Sequence, residues 1–198
     1  RSASAGGRPL IICDLPFLSY QCSPDEAVAA AAPRRVRPET AAAAVKLEGA
    51  APETGAGLDR LVRAGIPVMG HLGLTPQSVH RLGYRRQAGD PVSQNRLRRQ
   101  ALALEAAGCF ALVLEHIPAE LATELSGRLA IPVIGIGAGD ACDGQVRVTA
   151  DLLGLTLRQP PFSPPLLDGR GLAVEALRGW IRAQRTPTTP AAPSAPHC

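Results

Sequence analysis

Residues 110–118 read "FALVLEHIP": five apolar residues, then a carboxylate, a histidine and the chain-turning Ile-Pro. A strand that is apolar on both faces belongs to a sheet covered on both sides, which is the habit of parallel sheets. Working outward, similar runs recur at "LIICDLP" (10–16), "AAVKLEG" (43–49), "IPVMGHLG" (66–73), "IPVIGIGAG" (131–139) and, less distinctly, "QVRVT" (145–149). Helical patterns lie between them. "SQNRLRRQALALEAAG" (93–108) carries Leu97, Ala101, Leu104 and Glu105 at helical spacing, with Gly108 as its stop. "PAELATELSGRLA" (118–130) opens with Pro118 and an acidic first turn. Strands alternating with helices predict an α/β fold, either a (β/α) barrel or a doubly wound sheet.

The ends of the runs favour the barrel. The first four finish in polar residues: Asp14, Lys46 with Glu48, His71 and Glu115. In barrels the chemistry sits at the C-terminal ends of several different strands. A doubly wound sheet concentrates binding at one switch point after a Gly-rich first turn. "GIGAGD" (135–140) is not that fingerprint; it reads as a strand end where backbone approaches a ligand or a neighbour. The runs supply six strands, against about eight strands and about 250 residues for a closed barrel.

A chain of 198 residues suits one domain, expected to reach residue 185, followed by a disordered Pro/Ala/Thr-rich tail, "TPTTPAAPSAPHC" (186–198). The net charge of +4 comes from scattered arginines without interleaved aromatics, so no nucleic-acid partner is expected. No run reaches the length of a membrane span and none has the shape of a secretory signal, so no membrane partner is expected either. The five cysteines, at 13, 22, 109, 142 and 198, form no C-x-x-C pair; Cys13 and Cys109 lie in or beside apolar runs and read as reduced, buried thiols. The expected compartment is the cytoplasm, or the mitochondrion for a plant or fungal source.

Lys46 and Glu48 are two apart, so on a strand both point to one face. Such a pair is a salt bridge, a metal site, or two halves of a site for a small anion. Asp14 and Glu48 are hard oxygen ligands at two strand ends, a set that suits Mg²⁺. The structural alternative makes Asp14 a turn cap and pairs Glu48 with Lys46. Lys46 could hold a substrate carboxylate; His71, alone in its run, reads as a structural residue or a ligand. Glu115 closes a purely apolar strand, where a carboxylate is costly unless it has work such as proton abstraction. Together these groups describe a site that binds a 2-oxo acid on a metal and removes a neighbouring proton.

Longer stretches carry a family resemblance. "DLPFLSYQ" (14–21), "VKLEG" (45–49), "PVMGHLGLTPQSVH" (67–80), "ALALEAAG" (101–108), "LVLEHIP" (112–118), "LAIPVIGIGAG" (129–139) and "DGQVRV" (143–148) resemble the ketopantoate (3-methyl-2-oxobutanoate) hydroxymethyltransferases. The resemblance runs in order from about Leu10 to Leu155, and "GHLGLTPQS" with "IPVIGIGAG" is its most specific part. It implies a (β/α)8 TIM barrel of the phosphoenolpyruvate/pyruvate type. The implied reaction moves a hydroxymethyl group from 5,10-methylenetetrahydrofolate to 3-methyl-2-oxobutanoate, giving 2-dehydropantoate for pantothenate synthesis. It also implies Asp14 and Glu48 as Mg²⁺ ligands, Asp14, Lys46 and His71 as substrate-binding residues, Glu115 as the base at C3, and a homo-oligomer.

The chain departs from that pattern. The family's first two strands, with a "GDS" segment bearing a further metal-binding Asp and a substrate-binding Ser, have no counterpart before Leu10. In "AVAAAAPRRVRPETAAAA" (27–44) Pro33 and Pro38 are expected to interrupt a helix. Two alternatives follow: a non-catalytic barrel fragment that only associates with other subunits, and another 2-oxo acid lyase or mutase of the same barrel type.

Overall fold

The computed structural model describes residues 9–36, 42–50 and 52–185. They fall into two compact units, Arg1–Val146 and Arg147–Cys198. The first unit alternates strands and helices: β1 (Ile12–Asp14), α1 (Pro24–Val36), β2 (Ala44–Glu48), α2 (Pro52–Arg63) and β3 (Val68–Gly73). A short 3-10 turn (Pro76–Ser78) runs into α3 (Val79–Leu82), followed by α4 (Pro91–Ala106), β4 (Ala111–Glu115), α5 (Ala119–Arg128), β5 (Val133–Ile136) and β6 (Gly144–Gln145).

All six strands of the described residues are parallel, and their spatial order is their chain order, β1-β2-β3-β4-β5-β6. A doubly wound sheet reverses direction at a switch point. This one never does, so the winding is that of a barrel, with six strands where a closed barrel has about eight.

Side-chain alternation divides the sheet into two faces. Val45, Leu47, Val68, Leu72, Leu112, Leu114 and Val133 enter one apolar core with Leu58, Leu61, Leu97, Leu104, Leu121 and Leu125 of the helices. The alternate positions, which include Lys46, Glu48, His71 and Glu115, face the other way. The helix expected over 93–108 begins two residues earlier, because Asp90 caps it: the Asp90 carboxylate accepts from the Val92 and Ser93 N–H groups at 3.0 Å each.

Three expectations change. The sixth strand, expected over 145–149, starts one residue earlier and is much shorter. β6 is Gly144–Gln145, the ladder ends at the Val146 N–H to Gly135 carbonyl bond (3.0 Å), and Thr149 already starts a helix. Pro33 does not interrupt its helix, which runs to Val36; a proline near the end forfeits one backbone bond, and only the last turn lies beyond it. Pro38 lies outside the described residues. Of the thiols expected to be buried, Cys109 is, and burial pushes it up to about 12, whereas Cys13 is half-buried. The Gly-rich end 135–139 approaches neighbours: a Cβ on Gly139 would press into Ala119, and one on Gly135 into Cys142.

The second unit holds α6 (Thr149–Leu152) and α7 (Gly169–Arg185). Its buried Asp151 accepts from the Thr156 hydroxyl at 2.6 Å, and the Asp151 carbonyl accepts from Gln159 Nε2 at 2.9 Å. The expected tail, 186–198, lies outside the described residues. No described helix is long and apolar enough to cross a membrane.

Candidate active site

Register brings the strand-end residues together. Asp14 stands opposite Lys46, Glu48 opposite His71, and Gly73 opposite Glu115. Lys46 Nζ lies 3.0 Å from Asp14 Oδ1. On the neighbouring strands His71 sits between two carboxylates: Nδ1 is 3.7 Å from Glu48 Oε1, and Nε2 is 3.2 Å from Glu115 Oε2. The five residues singled out from the sequence therefore share the C-terminal end of one sheet face across β1 to β4.

Local backbone sets these ends. β4 stops after Glu115 because His116 turns into the left-handed region, φ +47°. The His116 N–H still donates to the Ile136 carbonyl (2.8 Å), and the Glu115 carbonyl accepts from the Leu74 N–H (2.8 Å). Glu115 is thus tied to both neighbouring strands.

His71 is buried, yet among the described residues neither ring nitrogen has a hydrogen-bond partner. Glu115 is within ion-pair reach, but the direction is not that of an N–H···O bond. A buried imidazole with two unmet nitrogens is costly unless a ligand or water meets them. The expectation of a lone His gives way to a His at the centre of the acidic row. The structural alternative for Glu48 is also corrected: the ion-pair partner of Lys46 is Asp14 on the adjacent strand, which sequence spacing could not reveal.

Burial holds the Glu48 carboxyl above the usual carboxylate range, against the opposing pull of His71, the Gln77 N–H and Lys46. The folded state therefore keeps that proton to a higher pH than the unfolded chain does. Stability falls as pH rises from the ordinary glutamate value through the raised one. Glu48→Gln is accordingly expected to raise the melting temperature at pH 7, with the gain vanishing near pH ~3, where the carboxyl is protonated in the folded and the unfolded chain alike. Melts at the two pH values check this; a lower melting temperature at pH 7 contradicts it.

Asp14 Oδ2 and Glu48 Oε1 take no hydrogen bond from the described residues, Glu48 Oε1 facing only His71 Nδ1 at 3.7 Å. Asp14 uses Oδ1 on Lys46, and Glu48 uses Oε2 on the Gln77 N–H at 2.9 Å. Among the described residues no three His, Cys, Asp or Glu side chains converge as a complete metal cage. Two carboxylates with one oxygen apiece outside those bonds nonetheless fit Mg²⁺, which takes one or two protein carboxylates and fills the rest with water and substrate. Beside Glu48 lies a cavity of about 500 Å³, walled in part by Phe17, Tyr20, Arg81, Arg96 and Gln100.

A family model described as "Ketopantoate hydroxymethyltransferase" matches residues 1–192. The chain belongs to the ketopantoate hydroxymethyltransferase family. It is 68% identical over 199 residues to the 3-methyl-2-oxobutanoate hydroxymethyltransferase of Synechococcus sp. (strain CC9902), covering all of this chain and 73% of that relative. It is 70% identical over 195 residues to the protein of the same name in Parasynechococcus marenigrum (strain WH8102), covering 98% of this chain and 72% of that one. Among solved structures it is similar to a putative phosphonomutase from Burkholderia cenocepacia J2315, with 16% identity, a TM-score of 0.46, and 88% and 70% of the two chains covered. The family is one of transferases, and that enzyme class extends to this chain.

The sequence reading missed the residues that hold Glu48. Tyr20 and Gln77 lie in the quoted stretches "DLPFLSYQ" and "GLTPQS", but neither received a role. The available signal was a Tyr in a chain with only two, placed in the loop after Asp14.

Proposed function

We propose that the chain binds 3-methyl-2-oxobutanoate at Asp14, Lys46 and His71, with Asp14 and Glu48 as the residues that would hold Mg²⁺, removes the C3 proton with Glu115, and joins C3 to the one-carbon unit of 5,10-methylenetetrahydrofolate, giving 2-dehydropantoate. The observation that carries this reading is the row Glu48–His71–Glu115, with the buried His71 nitrogens unmet and a carboxylate on either side. Family membership supports the reaction class.

Each residue has one task. The Lys46 ammonium pairs with the oxo acid's carboxylate. Glu115 accepts the proton as the C3–H bond breaks, and the electron pair moves into the enolate. His71 directs an N–H at a substrate oxygen, which answers its missing bonds. Asp14 and Glu48 would hold Mg²⁺, which supplies electrostatic stabilisation for charge developing on the oxo acid. The one-carbon unit gains a C–C bond to C3 and a C–O bond to water as its two C–N bonds to the donor break; the proton taken from C3 and one from water return to the donor nitrogens, and tetrahydrofolate leaves. The donor's room, on this reading, is the cavity beside Glu48, where Arg81 and Arg96 bring positive charge for its carboxylates. The same proposal includes a homo-oligomer in the cytoplasm.

The test is product formation by purified chain shown to be folded, with oxo acid, Mg²⁺ and donor. Donor-dependent 2-dehydropantoate is the expected result. Exchange at C3 without donor-dependent product would point to another 2-oxo acid enzyme. Neither exchange nor product from a folded sample would leave the non-catalytic barrel fragment as the reading that holds.

A further inference from the structure

Tyr20 is buried in the loop after β1, and its hydroxyl meets two partners far apart in the chain. It accepts the Glu48 N–H at 3.1 Å and donates to Gln77 Oε1 at 2.9 Å. Gln77 spends its remaining groups in the same place. Its Nε2 donates to the Leu15 carbonyl at 2.8 Å, and its backbone N–H donates to Glu48 Oε2 at 2.9 Å. Two loops, one after β1 and one after β3, are thereby locked onto the end of β2. Glu48 is gripped at its backbone N–H and at one carboxylate oxygen. Its other oxygen, Oε1, faces His71 Nδ1 across 3.7 Å.

We propose that Tyr20 and Gln77 are positioning residues that set the rotamer of Glu48, so that one carboxylate oxygen alone is presented to the ligand site beside His71. The inference rests on Glu48 being a site residue. Neither Tyr20 nor Gln77 need touch the oxo acid. The arrangement explains why a Gln serves at 77. The position needs an acceptor for the tyrosine and a donor for the Leu15 carbonyl at once, and a primary amide supplies both.

Tyr20→Phe removes the hydroxyl and keeps the ring. Gln77→Met keeps the length and the backbone N–H but loses both side-chain bonds. On folded variants the His71 ring nitrogens are followed by long-range proton–nitrogen NMR, without substrate. The exchange of C3 in the oxo acid is measured separately. Both single variants are expected to shift the His71 signals and to slow exchange by about 10–100-fold, as loss of a partner that orients a ligand residue does. The double variant should cost no more than the worse single, because both act through one clamp. Unchanged His71 signals with exchange within threefold of the parent would overturn the proposal. So would losses that multiply in the double variant and track melting temperature, the mark of a purely structural role. If the parent itself shows no exchange, the functional reading fails, and the His71 signals alone decide whether the clamp sets Glu48.

Discussion

Glu115→Gln is expected to slow C3 proton exchange in 3-methyl-2-oxobutanoate by about 10²–10⁴-fold, the usual contribution of a positioned general base. The change is nearly isosteric. The backbone bond from Leu74 to the Glu115 carbonyl, 2.8 Å, does not involve the side chain, so β4 keeps its end. The amide keeps the shape of the carboxylate beside His71, whose Nε2 lies 3.2 Å from Oε2. It cannot take a proton from carbon. Loss of exchange with an unchanged melting temperature therefore isolates the chemistry from the fold. Exchange within threefold of the parent would remove Glu115 from the role of base.

Gly73→Ala is the largest expected effect on stability. Gly73 has φ +94°, and an added Cβ would overlap the Glu115 carbonyl oxygen and come within 2.8 Å of Ile117 Cγ2. An L-residue in that backbone region costs of order 1–3 kcal/mol. Here the obstacle is backbone, which cannot rotate away, so β3 and β4 must separate where Glu115 is held. A loss of about 3 kcal/mol or more is expected in urea unfolding, together with loss of exchange activity. Gly65→Ala is the control. Its φ is +77°, but nothing lies within 4 Å of the added Cβ, so it should cost only the backbone strain, about 1 kcal/mol. Equal losses in the two variants would show that the close approach at Gly73 carries no weight.

Much of this could be read along the chain, because strands and their polar ends are local features. "FALVLE" (110–115) announces both an apolar strand and the residue that ends it. Period two correctly placed Lys46 and Glu48 on one face. Period says nothing about register between strands, so the pairing of Lys46 with Asp14 was out of reach. His71 looked ordinary because its two carboxylate neighbours come from β2 and β4, 23 positions before it and 44 after. Tyr20 and Gln77 failed for the same reason: their hydrogen bonds span 28 to 62 positions. The run 145–149 failed differently. Its Val146 and Val148 fit the apolar pattern but are exposed, and the ladder ends at the Val146 N–H.

The most direct test of the account is deuterium uptake at C3 of 3-methyl-2-oxobutanoate, followed by proton NMR on folded chain with Mg²⁺ and then with EDTA, no donor present. Uptake that requires Mg²⁺ and disappears in Glu115→Gln is the expected result. Uptake indistinguishable from the protein-free rate, in a sample shown to be folded, would contradict it.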